Sequence, residues 1–381
     1  MSTGLTSEPA RPGTLPRRLL AVSWACLASF GTARAQQLPP VAPEPSPTSV
    51  AQQKAVFEAI EEEVSNLFAK CKGAVVRIEA TDPLERRGGT GFFIDPSGTI
   101  YTSYTVAGRS WNLTVEYGDK KYPARCLLAD PRSGVMILKI DADTRTPFLP
   151  LGHSDELRAN SPVVAIGYPM DAPAAPTFGL VAGFDQKCPG GFLTVTHVRA
   201  NMPVRPGQAG APVLNEHGEV VGMLAYHLDF GAVCLVLPIQ AAEKVRADFV
   251  RFGRVSPGWI GMTAVPTDGD EERDPVRVVN VVPGAPAAEA GLQEGDVITK
   301  FGRKNVRRFT DLRDAAFFLT AFEKVPVTVQ REGREVTLEV RAANPPGLPV
   351  PPERSTPDGI EADTRLALPN APVSAGQGRE R

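Results

Sequence analysis

The sequence predicts a mainly β protein: two small barrels in series with a third, smaller β unit behind them. Three observations carry this. From about residue 74 to 237 the apolar residues fall in short runs broken by Gly, Pro, Asn and Asp, the pattern of strands rather than helices. Two turns of one kind, Asp95-Pro96-Ser97-Gly98 and Asn215-Glu216-His217-Gly218, stand at matching places in two sets of such runs. The composition agrees, because 35 Gly and 37 Pro beside 42% apolar residues suit turn-rich β structure better than a helical bundle. At roughly 150 residues per domain, 381 residues predict two or three domains.

The first 35 residues read as an export signal, with Arg17 and Arg18, the apolar run from Leu19 to Phe30 and the small-residue site Ala33-Arg34-Ala35. Cleavage near Ala35 makes the expected product secreted or periplasmic. The residues after the arginine pair fit a twin-arginine signal poorly, and Ser23 disfavours Cys26 as a lipid anchor. No later segment offers 18 uninterrupted apolar residues, so no membrane span is predicted. Residues 36–50 are proline-rich and read as a linker.

From Ala51 the spacing of Val56, Phe57, Ile60, Val64, Leu67 and Phe68 predicts an amphipathic helix whose Glu61 to Glu63 face solvent. Six strands follow, near 74–80, 91–95, 99–103, 113–117, 122–128 and 135–140, enough for one small barrel. After a linker with Pro147, Pro150 and Gly152 come six more, near 162–166, 177–183, 192–198, 211–214, 220–225 and 233–237. A helix over 240–252 ends this part, so 51–252 is expected to be a double β-barrel with an N-terminal helix. Residues 257–343 form the third unit, with strands near 260–265, 276–282, 296–301 and 325–331 and a helix over 310–322. The acidic run from Asp268 to Asp274 reads as a solvated loop, and 344–381 as a disordered tail.

The net charge of −2, from 41 basic and 43 acidic residues, offers no field for nucleic acid. Four cysteines survive cleavage, Cys71, Cys126, Cys188 and Cys234. Their spacing matches no metal or redox motif, and they read as small buried hydrophobes, with any disulfide pairing left open. His153, His197, His217 and His227 fit no zinc spacing, so no metal or cofactor is expected. The sequon Asn112-Leu113-Thr114 is too short a pattern to weigh.

Between Arg205 and Pro212 lies Arg-Pro-Gly-Gln-Ala-Gly-Ala-Pro, a turn with the shape that presents a nucleophile, yet it holds Ala209. With GGTGFFIDPSGTIYTSYTVAG (88–108), DPRSGVMILKI (130–140), LGHSDELRANSPVVAIGYP (151–169) and GAPAAEAGLQEGDVITKFGRKNV (284–306), it makes the chain resemble the HtrA/Deg trypsin-like serine proteases with a C-terminal PDZ domain. The resemblance implies a chymotrypsin-like double barrel followed by PDZ. It also implies a serine nucleophile, a histidine base and an orienting aspartate. Thr105, Gly134 and Ala209 stand at those positions. No histidine precedes His153 and no serine lies between Ser161 and Ser256, so no shift of alignment restores the triad. The Gly207 and Ala209 amides are the remaining oxyanion-hole candidates.

In the PDZ segment the resemblance implies a carboxylate-binding loop at Trp259-Ile260-Gly261-Met262, with Ile260, Met262, Leu312, Ala316 and Leu319 as walls of an apolar pocket. The expected protein is therefore a noncatalytic relative that binds exposed C-termini or unfolded polypeptide, as a chaperone, scaffold or regulator. Two alternatives stand beside it. One is a peptidase of residual or rerouted activity using Ser103 or Thr105, and the other a regulatory subunit that joins an active HtrA homologue, as a homo- or hetero-trimer would allow.

Overall fold

The computed structural model describes residues 47–347, apart from 82–85, 109, 111, 189–190, 229–231 and 272. The expected signal segment, most of the proline-rich segment and all but the first residues of the expected tail lie outside these. Helix α1 runs Pro47–Cys71, four residues into the stretch read as linker. Proline suits the first helical position, where its missing N–H takes no bond away. The predicted apolar stripe is only half used: Leu67 and Cys71 enter the core with Val64 and Phe68 against it, while Val56, Phe57 and Ile60 are 59, 73 and 38% exposed.

The first barrel comprises β1 (Val75–Thr81), β2 (Arg86–Phe93), β3 (Thr99–Ser103), β4 (Asn112–Tyr117), β5 (Lys120–Asp130) and β6 (Val135–Lys139), closed in the order β1-β2-β3-β6-β5-β4. Its predicted turn forms: Asp95 Oδ1 accepts from the Ser97 amide at 2.8 Å, and Gly98 takes φ +92°. One turn of helix, α2 (Tyr104–Ala107), was not predicted. Ser103 caps it by accepting from the Thr105 amide, a pattern too short for periodicity to show.

The second barrel closes as β10-β11-β12-β9-β8-β7, from β7 (Pro162–Gly167), β8 (Ala175–Cys188), β9 (Gly191–Asn201), β10 (Pro212–Leu214), β11 (Val220–Leu228) and β12 (Val233–Pro238). Strands β8 and β9 run well past their predicted ends. Their hairpin leaves the barrel wall and is held by the third unit. Helix α3 (Ile239–Phe252) returns to the first barrel, where the buried Tyr101 hydroxyl donates to Glu243 and Arg246 pairs with Glu243 at 3.0 Å.

The third unit is a sheet in the order β13-β14-β15-β17-β18, from β13 (Met262–Pro266), β14 (Val276–Val281), β15 (Val297–Phe301), β17 (Lys324–Arg331) and β18 (Arg334–Arg341), with β16 (Lys304–Asn305) pairing β15. Helices α4 (Pro286–Glu289) and α5 (Phe309–Phe318) complete it. The helix predicted to reach Phe322 stops at Phe318, since Leu319 is extended and Phe322 is left-handed at φ +69°. Strand β18 was missed although Val336, Leu338 and Val340 alternate with polar residues, because charge dominates the segment.

The buried carboxylate of Asp314 on α5 fastens this unit to the second barrel. It accepts from the Thr196 amide and hydroxyl at 2.7 Å each, from Gln186 Nε2 at 2.6 Å and from Lys304 Nζ at 2.7 Å. Arg313 donates to the Leu193 carbonyl at 2.9 Å, and Phe317 belongs to the barrels' own core. Removing such a charge strands its buried partners, so Asp314→Ala is expected to lose about 3 kcal/mol. Scanning calorimetry should then show the third unit melting ahead of the barrels; an unchanged single transition contradicts this.

Candidate functional site

The turn from Arg205 to Pro212 keeps a sharply defined backbone. Gln208, 1% exposed, folds under it: its Oε1 accepts from the Arg205 amide at 2.6 Å and its Nε2 donates to Thr177 Oγ1 at 3.0 Å. Gly207 sits at φ +91°, where a Cβ would lie 2.3 Å from the Tyr168 carbonyl oxygen. Gly210 sits at φ +81°, with Thr90 O 2.2 Å from the same imagined atom. Only glycine fits either place.

The first barrel reaches across to hold this turn. The Thr90 amide donates to Ala209 O at 2.9 Å, and its hydroxyl donates to Gly207 O at 2.8 Å while accepting from the Tyr168 amide at 3.1 Å. Among the described residues the amides of Gly207 and Ala209 donate to no main-chain carbonyl. They are the pair read from the sequence as oxyanion-hole candidates.

The other two positions that the resemblance assigns to a triad lie close by. A Cβ on Gly210 would meet the Ser103 amide at 2.9 Å, so the start of α2 abuts the turn. The amide of Tyr104 donates to Gly134 O at 2.8 Å, which brings the loop before β6 to the same place. Thr105, Gly134 and Ala209 thus gather where the barrels meet. The Thr105 hydroxyl is 2.8 Å from Ser103 Oγ, and no imidazole or carboxylate is bonded to either among the described residues. Gly134 is left-handed at φ +79°, and the nearest atom to a Cβ there would be Tyr226 Oη at 3.9 Å. Asp130, the nearest carboxylate in that loop, turns inward onto the Ser133 amide and hydroxyl.

The histidines stay apart. His153 is exposed, and His217, its side chain 72% exposed, lies 4.0 Å from Glu216. The side chain of His227 is outside the described residues. His197 is 2% exposed on β9; its Nδ1–H donates to Val195 O at 2.9 Å, and Nε2 has no partner. No group of three metal-ligating side chains occurs among the described residues. Cys71, Cys126 and Cys234 are free thiols, and burial pushes the Cys234 thiol up to about 12.

The third unit carries a separate feature. Trp259 bridges to Ala343 through two main-chain bonds of 2.9 and 2.7 Å, Ile260 O accepts from Ala287, and Gly261 O from Val282, both at 2.8 Å. These bonds hold the carbonyls inward, and the Ile260 and Gly261 amides donate to no main-chain carbonyl among the described residues. Gly261 has φ +76°, with the Ala285 methyl 2.2 Å from where its own Cβ would be. The loop runs into β13, which pairs with β14 on one edge and with no described strand on the other. Ile260, Leu312 and Leu319 are buried in the unit's core, and Met262 packs against it. Ala316 is exposed on α5, and Leu319 lies just past the helix end.

Comparison with known proteins matches residues 89–223 to the trypsin-like peptidase domain and 258–342 to the PDZ domain. A protein of Chlamydia trachomatis described as "Probable periplasmic serine endoprotease DegP-like" is 27% identical over 74% of this chain and 57% of its own length. One of the same description from Pseudomonas fluorescens is 31% identical over 66% and 55%. The chain spans about three-fifths of the length of the curated relatives it matches. Among solved structures, the HtrA-type protease AlgW with tripeptide superposes with TM-score 0.61 at 23% identity, over 75% of this chain and 98% of that one. The serine endoprotease of Yersinia pestis gives 0.55 at 22%, over 74% and 98%. At these identities the structural likeness bears on the fold.

Burial holds the His197 pKa below the usual imidazole value, against the Val195 bond and the field of Asp314. The unfolded chain takes up a proton at about pH 6.5 and the folded one only lower. Stability is therefore full above that pH and falls as pH drops toward the folded value, by up to about 1.4 kcal/mol per unit. Urea unfolding from pH 7 to 5.5 should show this slope, and His197→Gln should flatten it; parallel curves for the two proteins would refute the assignment.

Proposed function

We propose that this chain, which matches a trypsin-like peptidase domain followed by a PDZ domain, is an HtrA-like protein that holds polypeptide C-termini without cutting chains. One observation supports the reading: Thr105, Gly134 and Ala209, the positions that the resemblance assigns to a triad, lie on neighbouring segments where the barrels meet, and they supply a threonine, a bare backbone and a methyl group. Peptide hydrolysis needs a nucleophile, a base to deprotonate it and a group to orient the base. Alanine forms no acyl bond, and threonine takes up no proton near neutral pH. The main-chain donors at Gly207 and Ala209 stabilise an oxyanion only if an attack occurs. Without the triad they leave roughly a thousandfold effect over water, too little for turnover.

The PDZ domain keeps what binding requires. Two amides remain for a terminal carboxylate, beside an unpaired strand edge and an apolar floor. Solved neighbours bear a tripeptide and a decapeptide, which supports peptide binding by this fold. Periplasmic relatives and the expected export signal support a role outside the cytoplasm, in the handling of misfolded or unassembled chains.

Purified chain should neither digest unfolded casein nor be labelled by a fluorophosphonate; serine-directed labelling with loss of casein turnover would overturn the proposal. Rewriting the triad as Thr105→His, Gly134→Asp and Ala209→Ser should cost stability, because aspartate at a left-handed position is strained by about 1–2 kcal/mol. Full stability in urea together with restored proteolysis would show that the backbone at 134 had not departed from an active form.

A further inference from the structure

The sheet of the third unit buries one face and leaves the other polar. On β17 and β18, Val325, Val327, Val329 and Val340 belong to the core and Val336 and Leu338 pack against it, so the alternate residues point the opposite way. Strand pairing then sets Asn305, Lys300, Thr328 and Thr337 side by side across β16, β15, β17 and β18. These four line a cavity of about 440 Å³, together with Glu335, which lies two residues before Thr337 on the same face. Thr328 is 8% exposed; its hydroxyl meets that of Thr337 at 3.1 Å, and the Thr299 hydroxyl donates to the Thr328 carbonyl at 3.2 Å. The exposed side chains of Lys300, Asn305 and Glu335 have no hydrogen bond or ion pair among the described residues.

We infer that this cavity binds a small acidic sugar, a ring of hydroxyls that carries one carboxylate. It shares no residue with the Trp259 to Met262 loop, so the inference stands apart from the peptide reading. A volume of this size lies within the roughly 300–1,000 Å³ of small-ligand sites. Lys300 is the one cation in the lining and offers its ammonium to an acid group. Asn305 and the threonine hydroxyls both donate and accept, while Glu335 only accepts, so it suits sugar hydroxyls and repels a second acid. An apolar ligand would strip these groups of water and leave them unpaired. The spacing selects length as well as charge: Lys300 and Glu335 stand two strands and two residues apart, which puts their backbones about 12 Å from each other. An α-amino acid, with both its charges on one carbon, is too short to meet both side chains; a sugar ring with an acid at one end reaches them. Beside the cavity, Lys304 is taken by Asp314 at 2.7 Å, but Arg303 at the tip of the same hairpin is exposed and without a partner among the described residues. It adds a second free cation that draws anions to the mouth.

Amide NMR on the intact chain, titrated with D-glucuronate, D-glucose, L-alanine and inorganic phosphate at about 0.15 M salt, tests this. Glucuronate should shift the amides of Lys300, Asn305, Thr328 and Thr337 and saturate with a dissociation constant of about 1 mM. Glucose, which lacks the charge, should bind at least ~10-fold more weakly, and alanine should leave the four amides where they are. Lys300→Met should bring glucuronate down to the level of glucose, and Glu335→Gln should weaken both sugars. Both residues are exposed, so neither change puts folding at stake. Three results overturn the inference: no shift at these amides by about 20 mM glucuronate, equal binding of glucuronate and glucose, or equal binding of glucuronate and alanine. Phosphate that moves the same amides as strongly as glucuronate overturns it too, by reducing the site to a patch for any anion.

Discussion

Thr90 is the point on which the two barrels and the turn between them depend. It is fully buried on β2, and every polar atom it has is engaged. Its amide and hydroxyl hold the carbonyls of Ala209 and Gly207, its hydroxyl receives the Tyr168 amide, and its own carbonyl accepts from Thr102 at 2.7 Å. The turn at 207–209 and the Tyr168 backbone of the second barrel, and Thr102 on β3 of the first, all bond to this one residue. A buried hydrogen-bonding group with no partner is costly, so none of these bonds can be dropped without the others shifting. This explains why a turn that presents no nucleophile is still closely built: it is part of the seam between barrels.

Side chains and backbone have therefore diverged at this cleft. At Ala209 the side chain is a methyl group, and the glycines at 207 and 210 shape the turn. At Gly134 the main chain itself is left-handed, a conformation that an L-aspartate adopts only under strain. Asp130 bonds into its own loop, and Tyr226 stands nearest the space that a carboxylate at 134 would use. Alanine alone would be compatible with a single inactivating change. Threonine, glycine and alanine together, with no histidine in the first barrel, are what the proposed loss of proteolysis rests on.

The PDZ unit is bound to this scaffold through helix α5. One side of α5 places Leu312 in the unit's core, and another presents the Thr310 carbonyl to β8, Asp314 to β8 and β9, and Phe317 to the barrel core. The Arg132 guanidinium lies 5.8 Å from the Phe317 ring while its carbonyl accepts from Thr194 at 2.9 Å, so the loop ahead of Gly134 touches the same helix.

Much of this was legible in the residues alone. Short apolar runs and glycine turns carried the double barrel, because strand period and turn chemistry are local properties. The absence of a histidine before His153 and of a serine between Ser161 and Ser256 was equally plain, since it needs no coordinates. Element ends were less so: α1 began early, α5 ended early, and β8 and β9 ran long because their hairpin is stabilised by a distant unit. Only the tertiary structure decided that Gly134 is left-handed, that Thr90 clamps the turn and that Asp314 joins PDZ to barrel. It also bonded the Glu271 carbonyl, within the largely exposed acidic loop, to the Phe309 amide at the start of α5. These last features are bonds between residues far apart in sequence. Composition and periodicity report what a segment prefers by itself, and which distant partner satisfies a buried amide or carboxylate is settled only when the chain has packed.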